Sequence, residues 1–466
     1  MKNNKILLLI CLTVITSLCS CEKFLDIKTD SKQVFAETAD DCQLLLDNYA
    51  LMNTGYPSDG ESSAGDFYLT DATYLSTFVS SEDRFFYTWN STAIHNLSNL
   101  QWKPCYYIIY NCNFILETIE NKLKGKTDQS ILNGLRGSAL FYRSYCLWQI
   151  AQLYAKPYSV ETSSLDLGIP VRLTSDINEI SERGTVKQTY DRIVQDLQEA
   201  SNLLSSSSSI ASRPNKAACY AMLARVYLSM EDYNNAELNA SAALAIKSDL
   251  IDYNSLNKNS TTPFTPRFNK EVIFQSVTTQ SFMLAAGSSS NSFAKIDPSL
   301  VSSYETNDLR RIIFFKTVSG IPVSYLFSGN YEPTINGTLF NGLAVDELYL
   351  IRAECYARSG NITGALSDLN RLLRTRWLSG SYIEIPSTLN AEETLEKVLT
   401  ERRKELLMRG QRWTDLRRLN KDAKFAVTLT RTIQGKTYTL PPNDPRYILL
   451  IPNEVIINSG LPQNLR

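Results

Sequence analysis

Aromatic side chains are concentrated in two stretches of this sequence, residues 54–100 and 250–340. An aromatic ring can stack on the flat C–H face of a sugar, while amide, carboxylate and guanidinium groups pair with the hydroxyl rim. Both stretches are also rich in small polar residues, which favours long loops with a role in binding. The candidate contact residues are Tyr68, Tyr74, Tyr87 and Trp89 in the first stretch and Phe282, Phe293, Tyr325 and Tyr331 in the second.

A second conspicuous group of residues lies between Glu401 and Arg418. Glu401 and Glu405 are one helical turn apart, and paired carboxylates are what glycoside hydrolysis uses. That reaction needs its carboxylates across a cleft at a set separation, which two adjacent turns of one helix do not offer. We therefore favour structural ion pairs that lock the last long helix to the tail. The basic partners would be Arg402, Arg403, Arg409, Arg412 and Arg417.

Other kinds of catalytic site find no support in the sequence. The single histidine, His95, has no motif around it, so neither a His-based metal site nor a Ser-His-Asp triad is expected. No phosphate-binding loop, GxSxG motif or CxxC pair is present. The net charge of -1 argues against a nucleic-acid partner. We expect no catalytic residue, metal or cofactor, with a secreted hydrolase as a remote alternative.

The N-terminus has the pattern of a secretory signal. Lys2 and Lys5 precede the mostly apolar residues 6–18, a run too short to span a bilayer comfortably. The segment Leu18-Cys19-Ser20-Cys21 resembles a bacterial lipobox, after which a peptidase cuts before the cysteine that carries lipid. We expect Cys21 to be that lipidated residue and to anchor the chain in a membrane.

Two alternatives to a lipidated Cys21 remain open. The chain could be an ordinary secreted protein, cut near Ser20, with Cys21 free. Cys19 could be the lipid acceptor instead, although Thr16 would then stand where the lipobox leucine belongs. The six cysteines from Cys42 to Cys355 sit mostly in apolar helical patterns and read as buried small residues, with no spacing that requires a disulfide.

The elements that must position the aromatic stretches are predicted to be helices. Apolar residues recur at three- and four-residue spacing in 101–123, 130–154 and 391–409. Two further segments share the spacing of tetratricopeptide repeats, in which small residues let paired helices approach closely. Their matching positions are Leu223, Ala224, Tyr227, Ala236, Ala240 and Ala243 in the first copy, and Ala353, Tyr356, Ala365, Leu369 and Leu372 in the second.

The predicted fold class is mainly α: a tetratricopeptide-like scaffold of helical pairs with long irregular loops and a few short strands. Residues 250–340 separate the two repeat copies, so we expect an interrupted array. The expected organisation is a signal segment at 1–20, a tether at 21–38 and one domain at 39–466, with scaffold at 101–249 and 341–420, ligand-binding loops at 54–100 and 250–340, and a tail at 421–466.

Motifs spread over the whole mature chain agree with a single family. They are Cys21-Glu22-Lys23-Phe24-Leu25-Asp26, Trp102 with Tyr106 and Asn111, Arg183-Gly184-Thr185-Val186 with Tyr190, Asn307-Asp308 with Arg310-Arg311, Leu350-Ile351-Arg352-Ala353-Glu354 with Tyr356, Glu401-Arg402 with Glu405-Leu406, Gly410 with Arg412-Trp413 and Asp415-Leu416-Arg417-Arg418, and Gln463-Asn464. In these residues the chain resembles the SusD/RagB family of Bacteroidetes outer-membrane lipoproteins. Arg409 departs from the family pattern, which often has Glu before the glycine, and this puts a local ion pair in doubt.

The resemblance implies a SusD-like helical scaffold whose loops bind a nutrient, usually a glycan and in some members a peptide. It implies a partner as well, a SusC-like TonB-dependent transporter over which the protein sits as a lid. The implied location is the outer membrane, with the protein held by its lipid and facing the exterior. Peptides or protein fragments as the ligand are the alternative on the same scaffold.

Overall fold

The computed structural model describes residues 36–90, 100–285, 294–318, 323–334 and 336–466. Cys21, His95 and Phe293 therefore lie outside the described residues. The architecture is mainly helical with a few short strands, as the sequence predicts. Among the described helices, none combines the length and apolar composition that crossing a membrane requires.

Helices account for most of the regular structure. They are α1 (Ala39–Leu46), α2 (Tyr49–Met52), α3 (Asp59–Ser63), α4 (Asp71–Leu75), α5 (Ser81–Tyr87), α6 (Lys103–Thr118), α7 (Gln129–Tyr154), α8 (Val186–Leu203), α9 (Lys216–Ser229), α10 (Tyr233–Ile246), α11 (Pro298–Ser302), α12 (Arg310–Ile313), α13 (Val345–Arg358), α14 (Ile362–Arg374), α15 (Ala391–Glu405), α16 (Arg412–Leu419) and α17 (Asn453–Ser459). The end of α6 continues as a π-helical turn, Ile119–Leu123.

The strands are short and pair in twos, always antiparallel. They are β1 (Phe67–Tyr68), β2 (Leu167–Pro170), β3 (Arg183–Thr185), β4 (Val272–Phe274), β5 (Lys295–Ile296), β6 (Phe315–Thr317), β7 (Tyr325–Phe327), β8 (Leu343–Ala344), β9 (Leu429–Ile433) and β10 (Lys436–Leu440). The β9–β10 hairpin closes through Gln434 and Gly435, both with positive φ, the geometry that a two-residue hairpin turn requires.

The scaffold is a row of antiparallel helices around α7. Every residue from Ala139 to Tyr154 is buried, because α6, α8 and the first loop region cover α7 on several sides. Polar caps fix where the neighbouring helices begin. Thr185 and Gln188 form a capping box at α8, and Asn390 and Glu393 form one at α15, so the first free N–H groups are satisfied.

The two repeat copies are consecutive in space although they are far apart in sequence. The pairs α9–α10 and α13–α14 form as predicted, and α10 packs directly against α13. Arg358 of α13 lies 4.6 Å from the centre of the Tyr233 ring of α10, and Arg352 contacts Ser241. The repeat copies are therefore separated in sequence but not in space. Residues 250–340 are inserted between α10 and α13 without separating these two helices.

The insertion, residues 250–340, folds back over the first loop region. Together the two form a separate hydrophobic core, which we call the second core. Phe67 and Tyr87 from the first region pack with Phe264, Phe327 and Tyr331 from the second. The predicted strand at 271–277 is present, shortened to β4, and pairs with β8 at the start of α13. The insertion is thus tied to the scaffold through β8 and to the first loop region through its own core.

A chain of buried salt bridges joins this insertion to α15. Arg310 is fully buried and donates to Asp308 (2.7 Å), Glu401 (2.6 Å) and Glu405 (3.0 Å). The other oxygen of Glu405 accepts from Arg376 at 2.7 Å, and Arg376 also pairs with Glu271 at 2.9 Å. Removal of one partner from a buried ion pair leaves the other charge uncompensated, so each member of this chain depends on its neighbours.

The structure confirms ion pairs for Glu401 and Glu405 and corrects their partners. Glu401 and Glu405 do not form the expected lock between the last long helix and the tail, because Arg310 and Arg376 from distant segments provide their main contacts. Lys424 of the tail instead pairs with Glu392 and Glu396 of that helix. Arg409, the departure from the family pattern, pairs with Asp346 at 3.3 Å and lies 4.2 Å from the Tyr331 ring centre. The other basic residues of the cluster bind Asp415 and Asp66, or backbone carbonyl groups.

Two carboxylates in buried ion pairs, Glu354 and Glu401, have pKa values far below the ordinary range. Burial raises the pKa of Glu354, but the guanidinium groups of Arg418 and Arg358 outweigh burial and hold that pKa at about 2. Arg418 lies 2.5 Å and 2.8 Å from the two Glu354 oxygens. Burial likewise raises the pKa of Glu401, and Arg310 with Lys404 brings it to about 2. Both groups therefore stay ionised in the folded protein at any pH above that value.

These depressed pKa values predict a loss of stability in acid. Each group has an ordinary pKa of 4.5, so its stabilising contribution is complete above that pH and disappears as the pH falls from about 4.5 to about 2. Glu354→Gln should lower the free energy of unfolding at pH 7 by about 3–5 kcal/mol, because Arg418 keeps a buried charge without its main partner. Its unfolding temperature should also depend less on pH below 5, as thermal melts followed by circular dichroism would measure.

Glu384→Gln is the matched control for this prediction. Glu384 pairs with Arg374, and both side chains are more than half exposed. Its replacement should change the free energy of unfolding by less than about 1 kcal/mol. Equal effects of the two substitutions would contradict the role given to the buried pair.

Candidate functional site

The two aromatic-rich stretches meet in space. Phe67 and Tyr68 of β1 pair with Ile296 and Lys295 of β5, and β5 in turn lies beside β7. The Ser281 hydroxyl donates to Asp83 at 3.2 Å, which ties the second stretch to the start of α5. Residues about 200 positions apart in the sequence thus share one region of the molecule.

Three of the candidate rings are buried in this region and hold it together. Tyr87 is 1% exposed and Trp89 is 3% exposed. The Arg431 guanidinium lies 3.9 Å from the centre of the Tyr87 ring and 4.6 Å from that of Trp89, and it donates to backbone carbonyl groups of α3 and of Tyr87. Tyr331 is fully buried, and its hydroxyl donates to Glu271 at 2.5 Å. With their faces covered, these rings support the surface and are not open to a ligand.

The other described candidates reach the surface. Phe282 is 50% exposed, because the two residues after it, Met283 and Leu284, turn into the core and leave its ring outside. Tyr68, Tyr74 and Tyr325 are half-buried, and the last two pack in part on the second core. We call the outer faces of these four rings, Tyr68, Tyr74, Phe282 and Tyr325, the loop surface.

The elements that carry the loop surface adjoin one another, but its four rings do not touch. Among the described residues, the Tyr74 ring contacts the Tyr87 ring, with ring centres 6.1 Å apart. The Tyr325 ring contacts the Phe315 ring, with ring centres 6.4 Å apart. Spaced rings of this kind can meet successive units of an extended ligand. The sequence indicates the two stretches but not which of their rings are buried and which are exposed. Residue type alone does not distinguish the two, because both groups are Tyr, Trp and Phe side chains in polar surroundings.

Arginine 84 orders the helix that presents Tyr74. Its Nε donates to the Tyr74 carbonyl at 2.6 Å and its Nη2 to the Ser76 carbonyl at 2.7 Å. The guanidinium carbon also lies 5.7 Å from the Tyr74 ring centre, within cation–π range. Nothing in the sequence marks Arg84 or Arg431 for these roles, since single arginines carry no recognisable motif.

Two acidic groups behind the loop surface are buried and unsuited to acid–base catalysis on an external substrate. Burial, reinforced by Asp66, raises the pKa of Glu61 to about 8, although its Oε2 accepts from the Gly410 N–H at 2.9 Å. Burial also raises the pKa of Asp59 well above its ordinary value. Both side chains are at most 4% exposed. Across the described ranges, no group of three or more His, Cys, Asp or Glu side chains is arranged to hold a metal ion.

A small aromatic cavity that shares no lining residue with the loop surface lies between the segment after α14, Glu305 of the second stretch and α15. It has a volume of about 150 Å³, and Trp377 and Tyr382 line it with their ring centres 5.4 Å apart. Lys397, Glu305 and Ser381 contribute polar groups. Its aromatic residues follow the second repeat copy, where the helical spacing had suggested only scaffold.

Two family models match this chain. Residues 23–228 match a model described as starch-binding and associating with the outer membrane. Residues 345–448 match the model of the SusD family. A SusD-like protein of Formosa agariphila is 32% identical over 112 residues, a match that spans 23% of this chain and only 22% of that relative's length.

Solved structures share the fold over almost the whole chain. A SusD superfamily protein from Bacteroides thetaiotaomicron has a TM-score of 0.74 and 22% identity, with 92% of this chain and 100% of that one covered. A SusD-like carbohydrate-binding protein from Bacteroides vulgatus has a TM-score of 0.70 and 21% identity, with 91% and 97% covered. The two sequence models and the common fold agree, and the chain belongs to the SusD family.

Proposed function

We propose that this protein is a cell-surface lipoprotein that captures a glycan at its loop surface and delivers it to a SusC-like TonB-dependent transporter. Its role is binding, not catalysis. The observation that carries the proposal is the loop surface itself, in which exposed and half-buried aromatic rings border a separately packed hydrophobic core. Aromatic faces set among polar groups are the usual means of holding sugars.

Several further observations support this reading. One family model that matches the chain is described as starch-binding and associated with the outer membrane. The lipobox-like segment ending at Cys21 would supply the membrane anchor. The carboxylates most suggestive of a hydrolase, Glu401 and Glu405, are each 2% exposed and are engaged in buried salt bridges with Arg310.

The ligand class is tested by calorimetry with a broad panel of polysaccharides and oligosaccharides. At least one glycan should bind saturably, and Phe282→Ala and Tyr74→Ala should each weaken that binding about two- to tenfold through the loss of ring stacking. Tyr107→Ala is the matched control, because Tyr107 on α6 is 52% exposed, as Phe282 is 50% exposed, but lies on the scaffold. Absence of binding across the panel would remove the glycan part of the proposal.

Peptides or protein fragments are the second candidate ligand, since tetratricopeptide-like surfaces bind peptides readily. Mass spectrometry of material that co-purifies with the native protein separates the two. Finding sugar without peptide would exclude the second candidate. Peptide alone, with no response in calorimetry to any glycan, would favour it.

The lipid anchor is tested by changing the two neighbouring cysteines separately. Cys21→Ser should move the protein from the membrane fraction to the soluble fraction, because the lipid chain supplies the buried methylene groups of the anchor. Cys19→Ser should leave it in the membrane fraction. Immunoblots of fractionated cells that lack the transporter measure both outcomes, and the reverse pattern would make Cys19 the lipidated residue.

A further inference from the structure

The small aromatic cavity lined by Trp377 and Tyr382, which we call the Trp377 cavity, has a volume of about 150 Å³. Sites that enclose a whole small molecule measure about 300–1,000 Å³. The Trp377 cavity can therefore take one unit or one end of a longer ligand, but it cannot enclose a whole molecule of that size.

The two rings of the cavity are held in position by the scaffold. Their planes meet at 63° with centres 5.4 Å apart, and both residues are only partly buried. The Tyr382 hydroxyl donates to the side-chain oxygen of Asn370 at 2.5 Å. The Trp377 backbone N–H donates to the Leu373 carbonyl, and the Trp377 carbonyl accepts from Asn254 at 2.9 Å. The aromatic side of the cavity is thus formed before any ligand arrives.

Two polar groups of the lining are free to pair with a ligand. Among the described residues, neither the Glu305 carboxylate nor the Trp377 indole N–H has a hydrogen-bond or ion-pair partner. Glu305 is exposed, and the indole nitrogen keeps accessible surface. One of these groups accepts and the other donates. Such a pair suits a ligand that carries hydroxyl groups, since each hydroxyl both donates and accepts.

The charges around the cavity favour a neutral ligand. Lys397 of α15 lies 3.5 Å from Glu401 in the cavity wall. Glu401 is already held by Arg310 at 2.6 Å and by Lys404 at 3.0 Å. A cationic ligand would meet the Lys397 ammonium group, and an anionic ligand would meet the Glu305 carboxylate. A neutral molecule with hydroxyl groups avoids both repulsions.

The Trp377 cavity adjoins the insertion that carries part of the loop surface. Glu305 follows Tyr304, whose ring centre lies 5.1 Å from that of Phe315. The Phe315 ring centre lies in turn 6.4 Å from that of Tyr325, a member of the loop surface. Two ring contacts therefore connect Tyr325 with the residue beside Glu305, a separation that a chain of several sugar units can span.

We propose that the Trp377 cavity is a second glycan site, which holds one sugar unit of a chain whose other units bind the loop surface. The C–H face of the sugar lies against the aromatic rings, one hydroxyl donates to Glu305, and another accepts from the Trp377 indole N–H. This second site rests on the proposed function, since its ligand is the same glycan. Two contacts on one chain strengthen the binding of a long glycan more than that of a short one, because the second contact forms within the complex.

The test uses amylopectin, arabinoxylan, pectin and yeast mannan as probes, each compared by calorimetry with a trisaccharide prepared from it. Glu305→Gln should weaken the binding of the polysaccharide that the protein prefers about three- to tenfold, because a sugar hydroxyl loses a charged acceptor. The advantage of that polysaccharide over its trisaccharide should shrink, because only the long chain spans both sites. The exposed position of Glu305 lets the variant keep its fold, as circular dichroism would check.

Glu182→Gln is the matched control, since Glu182 is also exposed, has no partner for its carboxylate among the described residues and does not line the cavity. It should leave the binding of both ligands unchanged. If Tyr74→Ala weakens polysaccharide binding but Glu305→Gln does not, the second site is excluded while the proposed function stands. Equal weakening of polysaccharide and trisaccharide by Glu305→Gln would also overturn the second site. If none of the polysaccharides binds the unaltered protein, the second site and the glycan part of the proposed function fail together.

Discussion

The salt bridges that run from Asp308 through Arg310, Glu405 and Arg376 to Glu271 determine where the loop regions lie. Arg310, Arg376 and Glu405 have fully buried side chains, so each depends on its neighbours for the interactions it has lost from water. Glu271 extends the chain by accepting from Tyr331, a ring of the second core. Helix α15 and the insertion are thereby fixed to one another, and the aromatic core between them closes around that connection.

This arrangement separates support from recognition. Arg431 and the network hold Tyr87, Trp89 and Tyr331 inside, where their rings form the floor of the loop regions. Tyr68, Tyr74, Phe282 and Tyr325 are left at the edge, where we propose that the ligand binds, and we expect substitutions among them to alter that binding with little effect on the scaffold. A family that keeps the charged network and varies the outer rings could therefore serve many ligands with one fold.

The sequence predicted the scaffold well, because helical spacing and small residues at repeat positions are local signals, as the pairs α9–α10 and α13–α14 show. It also indicated that Glu401 and Glu405 are structural, but not that their partners are Arg310 and Arg376, since long-range pairing leaves no local pattern. The same limit applies to Trp89 and Phe282. Both are aromatic residues in polar stretches. Trp89 is covered because Arg431 packs on its ring, whereas Phe282 is exposed because Met283 and Leu284 take the buried positions beside it.

Amide hydrogen–deuterium exchange, measured with and without a glycan identified by calorimetry, tests most directly whether the loop surface is the binding site. We expect slower exchange in residues 67–75, 281–285 and 323–327 when the glycan is present, because a ligand that stacks on these rings restricts the segments that carry them. The helical pairs α9–α10 and α13–α14 should exchange as before. Protection confined to those helices, with the loop segments unchanged, would contradict the account.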